Sequence, residues 1–179
     1  MSKVEPRFHF RNRVVMRVKH RARVFRTLVA AVMLSGGLGA AAVATAQSAP
    51  RPEALIKWRQ SAYQVIAWNS GRIKTALAGQ FDAHEVQSAS NTLAAVANSG
   101  LASLFAAGTD HGKGWRDTTA RETVFSDAQK FRALTEEFAR EANALARVAA
   151  TGDRDTVNEQ FLKVAQACKA CHDKYRQTD

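Results

Sequence analysis

Near the end of the chain, Cys168-Lys169-Ala170-Cys171-His172 restricts the possible folds and chemistry more than any other stretch. Two thiols at this spacing can add across the vinyl groups of a haem while the adjoining imidazole reaches the iron. On a helix, positions 168, 171 and 172 stand at i, i+3 and i+4, so both sulfurs and the imidazole leave one face and can grip one flat ligand. These are the only two cysteines in the chain. A thioredoxin-type redox pair would follow a strand inside a βαβ pattern, and no strand is readable before Cys168. A structural zinc wants four N or S ligands, and the cluster offers three. A disulfide between residues three apart would close almost no loop and stabilise little. Haem is the reading that uses all three side chains.

The front of the chain has a different character. Of the formal charge of +10, most lies in residues 1–26, where nine Lys and Arg side chains from Lys3 to Arg26 face Glu5 alone. From Gln47 onward the chain carries only about +2. No charge occurs from Thr27 to Ala46; Leu28 to Leu34 is an apolar run and Ala44-Thr45-Ala46 a small-residue site. This order reads as a secretory signal peptide over residues 1–46, cleaved after Ala46, with residues 47–179 as the mature domain. Ser35-Gly36-Gly37 interrupts the apolar run, so a retained membrane anchor is the weaker reading and no stable membrane span is expected after processing. A nucleic-acid-binding arm does not require an apolar segment directly behind its arginines. No Arg-Arg pair marks the twin-arginine route, and either Met1 or Met16 could be the start. Export to the periplasm and the haem motif agree, because haem is attached to such chains outside the cytoplasm, where a bare Cys-x-x-Cys would otherwise oxidise.

The mature part reads as four amphipathic helices. The first runs from Pro52 to about Ala78, with Leu55, Ala62, Ile66, Ile73 and Leu77 in one stripe and Gly79 as its stop. Arg59 and Tyr63 lie on or beside that stripe, an odd place for a cation unless an anion waits there. Asp82 and Glu85 have capping-box spacing for a second helix, carried by Val86, Leu93, Leu101 and Phe105 toward Gly108. From Gly108 to about Phe125 periodicity disappears, and Trp115 in this long crossover loop reads as a plug against the bundle end rather than an exposed lid. Ser126 with Gln129 resembles a third cap, followed by Phe131, Leu134, Phe138 and Leu145. After Asp153 the fourth helix sets Val157, Phe161, Val164, Cys168, Cys171 and Tyr175 in one stripe. The expected fold is all-α, an antiparallel up-down-up-down four-helix bundle with a covalently bound haem near its C-terminal helix.

The iron's sixth position follows from composition. The three methionines, Met1, Met16 and Met33, all precede the expected cleavage site, so His/Met ligation is excluded in the processed chain. A second histidine would have to be His84 or His111, each read more readily as a surface residue. A five-coordinate iron with an open, largely apolar distal side is the remaining arrangement.

Three segments together carry a family resemblance: Cys168-Lys169-Ala170-Cys171-His172-Asp173-Lys174-Tyr175-Arg176, Lys57-Trp58-Arg59-Gln60-Ser61-Ala62, and Val124-Phe125-Ser126-Asp127. They resemble the cytochrome c′ family, the class II c-type cytochromes, over essentially the whole mature chain. The resemblance implies one haem c, thioethers from Cys168 and Cys171, and His172 as the axial ligand of the iron. It further implies Arg59, Gln60 and Thr119 on the propionate side, Tyr63 and Phe105 in the distal pocket, and Arg176 on the proximal side. A buried propionate costs on the order of several kcal/mol unless paired, and Arg59 could offer a charge-assisted bond. Asp110 to Arg116 is long for the family, and no proline precedes Val124. The implied activity is binding of nitric oxide or carbon monoxide with electron transfer rather than enzymatic turnover, in a homodimer formed through the first two helices, with an unknown redox partner and no nucleic acid. The rivals are a six-coordinate bis-His electron carrier of the same bundle, a nitric-oxide-converting haem enzyme and a thiol oxidoreductase.

Overall fold

The computed structural model describes residues 49–177. The leader expected over 1–46, with its cleavage site, lies outside the described residues. Four long helices, α1 (Pro52–Ala78), α2 (Ala83–Ala97), α4 (Ala128–Ala149) and α5 (Arg154–Tyr175), are joined by short, long and short connections. The long connection holds a 3-10 turn at Leu101–Leu104 and a one-turn helix, α3 (Thr123–Ser126). Among the described residues the only β-type pairs are isolated bridges, Lys113 with Asp117 and Ala120 with Arg176. No helix of the described residues is long and apolar enough to cross a membrane.

Local chemistry sets most of the helix ends. Pro52 opens α1 where its missing N–H costs nothing, and the Gly79 N–H closes it on Thr75 O at 3.0 Å. Asp82 accepts from His84 N at 2.9 Å and Glu85 N at 3.1 Å, but Glu85 turns to Arg72 at 3.2 Å instead of back to the cap. Half of the capping box is therefore used for a link between α1 and α2. Asp153 caps α5 through Thr156 N at 2.8 Å.

Two expectations are corrected. The second helix stops at Ala97 rather than running on toward Gly108, because Gly100 adopts φ +81°, a left-handed conformation that breaks the helical path before the 3-10 turn. Ser126 does not cap the third long helix: it ends α3, and the Asp127 carboxylate at the start of α4 accepts a hydrogen bond from Tyr175 Oη at 2.8 Å.

The helices pack in the order α1, α2, α4, α5, all antiparallel to their neighbours, around Ile73, Val86, Leu93, Leu145, Val157 and Val164. Each of these side chains is essentially sealed, and burying one contributes about 1.5–3 kcal/mol. At one end a second apolar cluster gathers Val124, Phe131 and Tyr175 against Phe105, Phe125, Leu134 and Cys171. There α1 and α5 stand apart, and the crossover loop closes over the gap. Its residues 119–121 run beside 175–177: Arg121 N donates to Tyr175 O at 2.9 Å and Gln177 N to Thr119 O at 2.7 Å.

Candidate functional site

A cavity of about 390 Å³ occupies that gap. The helical spacing of the C-terminal motif has its expected effect, since Cys168, Cys171 and His172 all line the wall that α5 contributes. Both cysteines are free and half-buried. Facing them from α1 are Arg59, Gln60 and Tyr63, which share a face because Tyr63 follows the other two by four and three residues. Phe105 enters from just beyond the 3-10 turn, Phe131, Leu134 and Phe138 from α4, and Arg116, Thr118 and Thr119 from the loop. Arg176, the first residue past α5, closes the rim.

Edge-to-face aromatic contacts stiffen one side of this space. Tyr63 and Phe105 have ring centroids 6.3 Å apart, Phe105 and Phe131 4.7 Å, and Phe131 and Tyr175 5.2 Å. Tyr175 is 4% exposed, and its hydroxyl is held by Asp127.

The charges on the walls are arranged unevenly. Arg59 is 4% exposed, yet its hydrogen-bond partners among the described residues are all neutral oxygens. Nη1 donates to Thr109 Oγ1 at 2.7 Å and to Leu104 O at 3.4 Å, while Nη2 donates to Thr109 O and to Thr118 Oγ1. Its Cζ also lies 4.7 Å from the Phe105 ring centroid. Burial pulls the guanidinium below its ordinary pKa, with Tyr63 and Asp110 pulling the other way; it nevertheless stays a cation. A buried cation whose bonds are all to uncharged groups is an unfavourable arrangement that an anion in the cavity would relieve.

Burial pushes the Cys171 thiol up to about 11, with Cys168 adding to the rise, and it raises Cys168 as well. That direction is opposite to the one a nucleophilic redox thiolate needs. The Tyr63 phenol is also raised by burial, with Cys171 and Cys168 as further causes, so it stays protonated. His172 is pushed down by burial and by Arg176, against Asp173. The imidazole is thereby kept neutral, the form that ligates a metal.

These features match one kind of group. Two thiols and a neutral imidazole on one wall, an aromatic and aliphatic lining, and a buried guanidinium with no acidic partner among the described residues fit a flat apolar macrocycle that carries iron and carboxylates, a haem. Among the described residues no three His, Cys, Asp or Glu side chains converge as a chelate for a bare metal ion.

Several details were not anticipated. Thr119 lines the cavity, but the hydroxyls bonded to Arg59 belong to Thr118 and to the fully buried Thr109, whose carbonyl takes a further donor. Neither threonine stands in a sequence pattern that would mark it. The apolar stripe of Phe131, Leu134 and Phe138 was legible, but periodicity cannot tell a cavity wall from a filled core. Trp115 is not a plug: it is 66% exposed and lies on α1, donating from Nε1 to Ser61 Oγ at 2.8 Å. His84, exposed at the start of α2, and His111, exposed beside Asp110 at 3.2 Å, are not among the lining residues.

Comparison with known proteins extends this picture. A family model described as Cytochrome C' matches residues 54–176. The cytochrome c' of Rhodocyclus tenuis is 52% identical over 130 residues, covering 72% of this chain and 98% of that protein. A solved cytochrome c' with an unusual ligand-controlled dimer dissociation is 40% identical, with a TM-score of 0.70 over 73% of this chain and 100% of that one. The nitric oxide complex of a cytochrome c prime variant from Alcaligenes xylosoxidans is 31% identical, with a TM-score of 0.65 over 73% of this chain and 99% of that one.

Proposed function

The chain belongs to the cytochrome c′ family, whose members carry one covalently bound haem c, and from that premise we propose that it is a periplasmic, gas-binding, electron-transferring haem protein rather than an enzyme. Residues 1–46 serve as a leader cut after Ala46, and 47–179 form the working domain. Cys168 and Cys171 hold the macrocycle through thioethers, and His172 supplies the axial nitrogen. Arg59 and Thr119 lie toward the propionates together with Gln60, Tyr63 and Phe105 wall the distal side, and Arg176 lies on the proximal side. The bound haem supplies an iron that can exchange an electron and take up a small ligand.

The observation that carries this reading is the pairing of walls in one cavity: thiols and imidazole on α5, and on α1 no side chain that would make a strong iron ligand. Tyr63 faces that space as a neutral phenol, so the side opposite His172 stays open to diatomic molecules. Nitric oxide and carbon monoxide need little polar support when bound, and no histidine lines the α1 wall to steady a more polar oxygen adduct. The relative solved with nitric oxide supports the same ligand class.

A second copy of the chain is the proposed partner, through α1 and α2. Trp58, Val65 and Trp68 leave the outer face of α1 apolar, with exposures of 53%, 38% and 65%. The relative described by its dimer dissociation supports that assembly.

The test is an absorption spectrum of purified protein, oxidised and reduced, with and without carbon monoxide. A high-spin oxidised spectrum and a carbon monoxide shift in the reduced one are expected. A reduced spectrum unmoved by carbon monoxide would sink the open-site reading, and a low-spin oxidised spectrum would favour the bis-His carrier.

A further inference from the structure

The Asp110–Arg116 stretch is seated on α1 more firmly than a surface connection requires. Gly114 has no room for a side chain, since a Cβ there would stand 2.6 Å from Gln60 Oε1 and 2.8 Å from both Ile56 Cγ2 and the Lys57 backbone nitrogen. The next two residues hang from a single amide: Gln60 Oε1 accepts from Trp115 N at 2.8 Å and Arg116 N at 3.4 Å, and Nε2 donates to Arg116 O at 2.9 Å. On the outside, the Trp115 indole is fixed by Ser61 Oγ and lies 5.2 Å from Lys57 Nζ. Together these contacts seat residues 114–116 on α1, and the side chain this seat brings to the cavity rim is Arg116.

The same bonds leave α1 short of donors. Gln60 commits both ends of its amide to the loop, and Arg59 commits four of its five N–H groups to Leu104, Thr109 and Thr118. Of the donors on Arg59 and Gln60 only Nε–H of Arg59 remains, for a macrocycle that carries two carboxylates, and the Tyr63 hydroxyl, which also faces the cavity from α1, carries no charge. Resting on the reading of the cavity as a haem c site, the geometry points to Arg116 as a second cation of that site, placed by the Gly114–Gln60 seat to pair with a propionate. Gln60 is thereby a positioning residue that acts through the loop. The other charged or ionisable groups of the surrounding elements are Arg59 and Tyr63 on α1 and, at the end of α5, the thiols, His172, Tyr175 and Arg176. The α4 and 3-10 segments bring only uncharged side chains to the wall, and neither Asp110 nor Asp117 is among the lining residues.

A propionate left without its cation favours the ferric state, so the reduction potential reads the pairing. In purified haem-bound protein, Arg116→Lys is expected to keep the wild-type potential. Arg116→Gln lowers the ferrous-to-ferric ratio at a fixed ambient potential roughly threefold or more, and Arg116→Glu lowers it further, because one and then two unit charges are removed from beside the propionate. Gly114→Ala, which keeps the charge but displaces its seat, moves the ratio in the same direction. A potential indifferent to Gln at 116, or one shifted equally by Lys and Gln, overturns the assignment while leaving the haem site intact. Purified protein with no covalent haem overturns both.

Discussion

Tyr175 does two jobs three residues beyond His172. Its ring closes the aromatic row that begins at Tyr63, and its hydroxyl binds Asp127 at 2.8 Å, tying the last turn of α5 to the first of α4. Burial, then the bond to Asp127, pushes the phenol up to about 12. Because the folded value lies above the ordinary one near 10, the stability this group contributes is complete below about pH 10 and is lost as pH rises toward about 12. Tyr175→Phe is expected to cost about 1 kcal/mol at neutral pH, read from urea unfolding, and to remove that alkaline component. With two tyrosines in the chain, both shifted upward, the phenolate absorbance of the folded protein should rise later than that of the unfolded one, and the variant leaves Tyr63 alone to report. At this scale the sequence discloses what chemistry makes conspicuous. Two cysteines, a histidine and an arginine on an apolar stripe announce themselves by type and spacing; Thr109 and Thr118, which orient that arginine, are ordinary loop threonines until the fold brings them to it.

Helices were legible where their ends are written in side chains, as at Pro52, Asp82, Gly79 and Asp153. Two misreadings share one cause, competition for a polar group from another part of the chain. Glu85 is taken by Arg72 and Asp127 by Tyr175, partners that local spacing cannot reveal. The end of α2 is a backbone matter instead. Gly100 has φ +81°, and a Cβ there would meet nothing nearer than Ser103 Oγ at 3.8 Å, so Gly100→Ala is penalised by conformation and not by crowding. About 1 kcal/mol of destabilisation is expected in chemical denaturation. Gly71 lies within α1, and a Cβ added there would have no atom within 4 Å; it should respond in the opposite sense, gaining up to about 1 kcal/mol as alanine.

For the molecule as a whole, four amphipathic stripes were enough to give the bundle, because any such helix must bury its apolar side against the others. They were not enough to locate the cavity, since Leu134 and Phe138 follow the same periodicity whether they face neighbouring side chains or a cofactor. Nor does burial of α1 use all its apolar residues. If the outer face with Trp58 and Trp68 is the seam between two copies, replacing both with glutamate should yield a monomer in sedimentation analysis while the visible spectrum stays unchanged. A pair of variants that remains dimeric would place the seam elsewhere.

The edge-to-edge stitching of 119–121 to 175–177 makes compliance in this protein lopsided. The turn bearing His172 is braced from outside by main-chain bonds, whereas among the described residues no hydrogen bond tethers the Tyr63 hydroxyl on the opposite wall. A molecule entering the space between them would therefore displace the Tyr63 ring more readily than the braced turn. Tyr63 shares α1 with the exposed indoles of Trp58 and Trp68, so a displacement of its ring that carried the helix with it would reach the surface there.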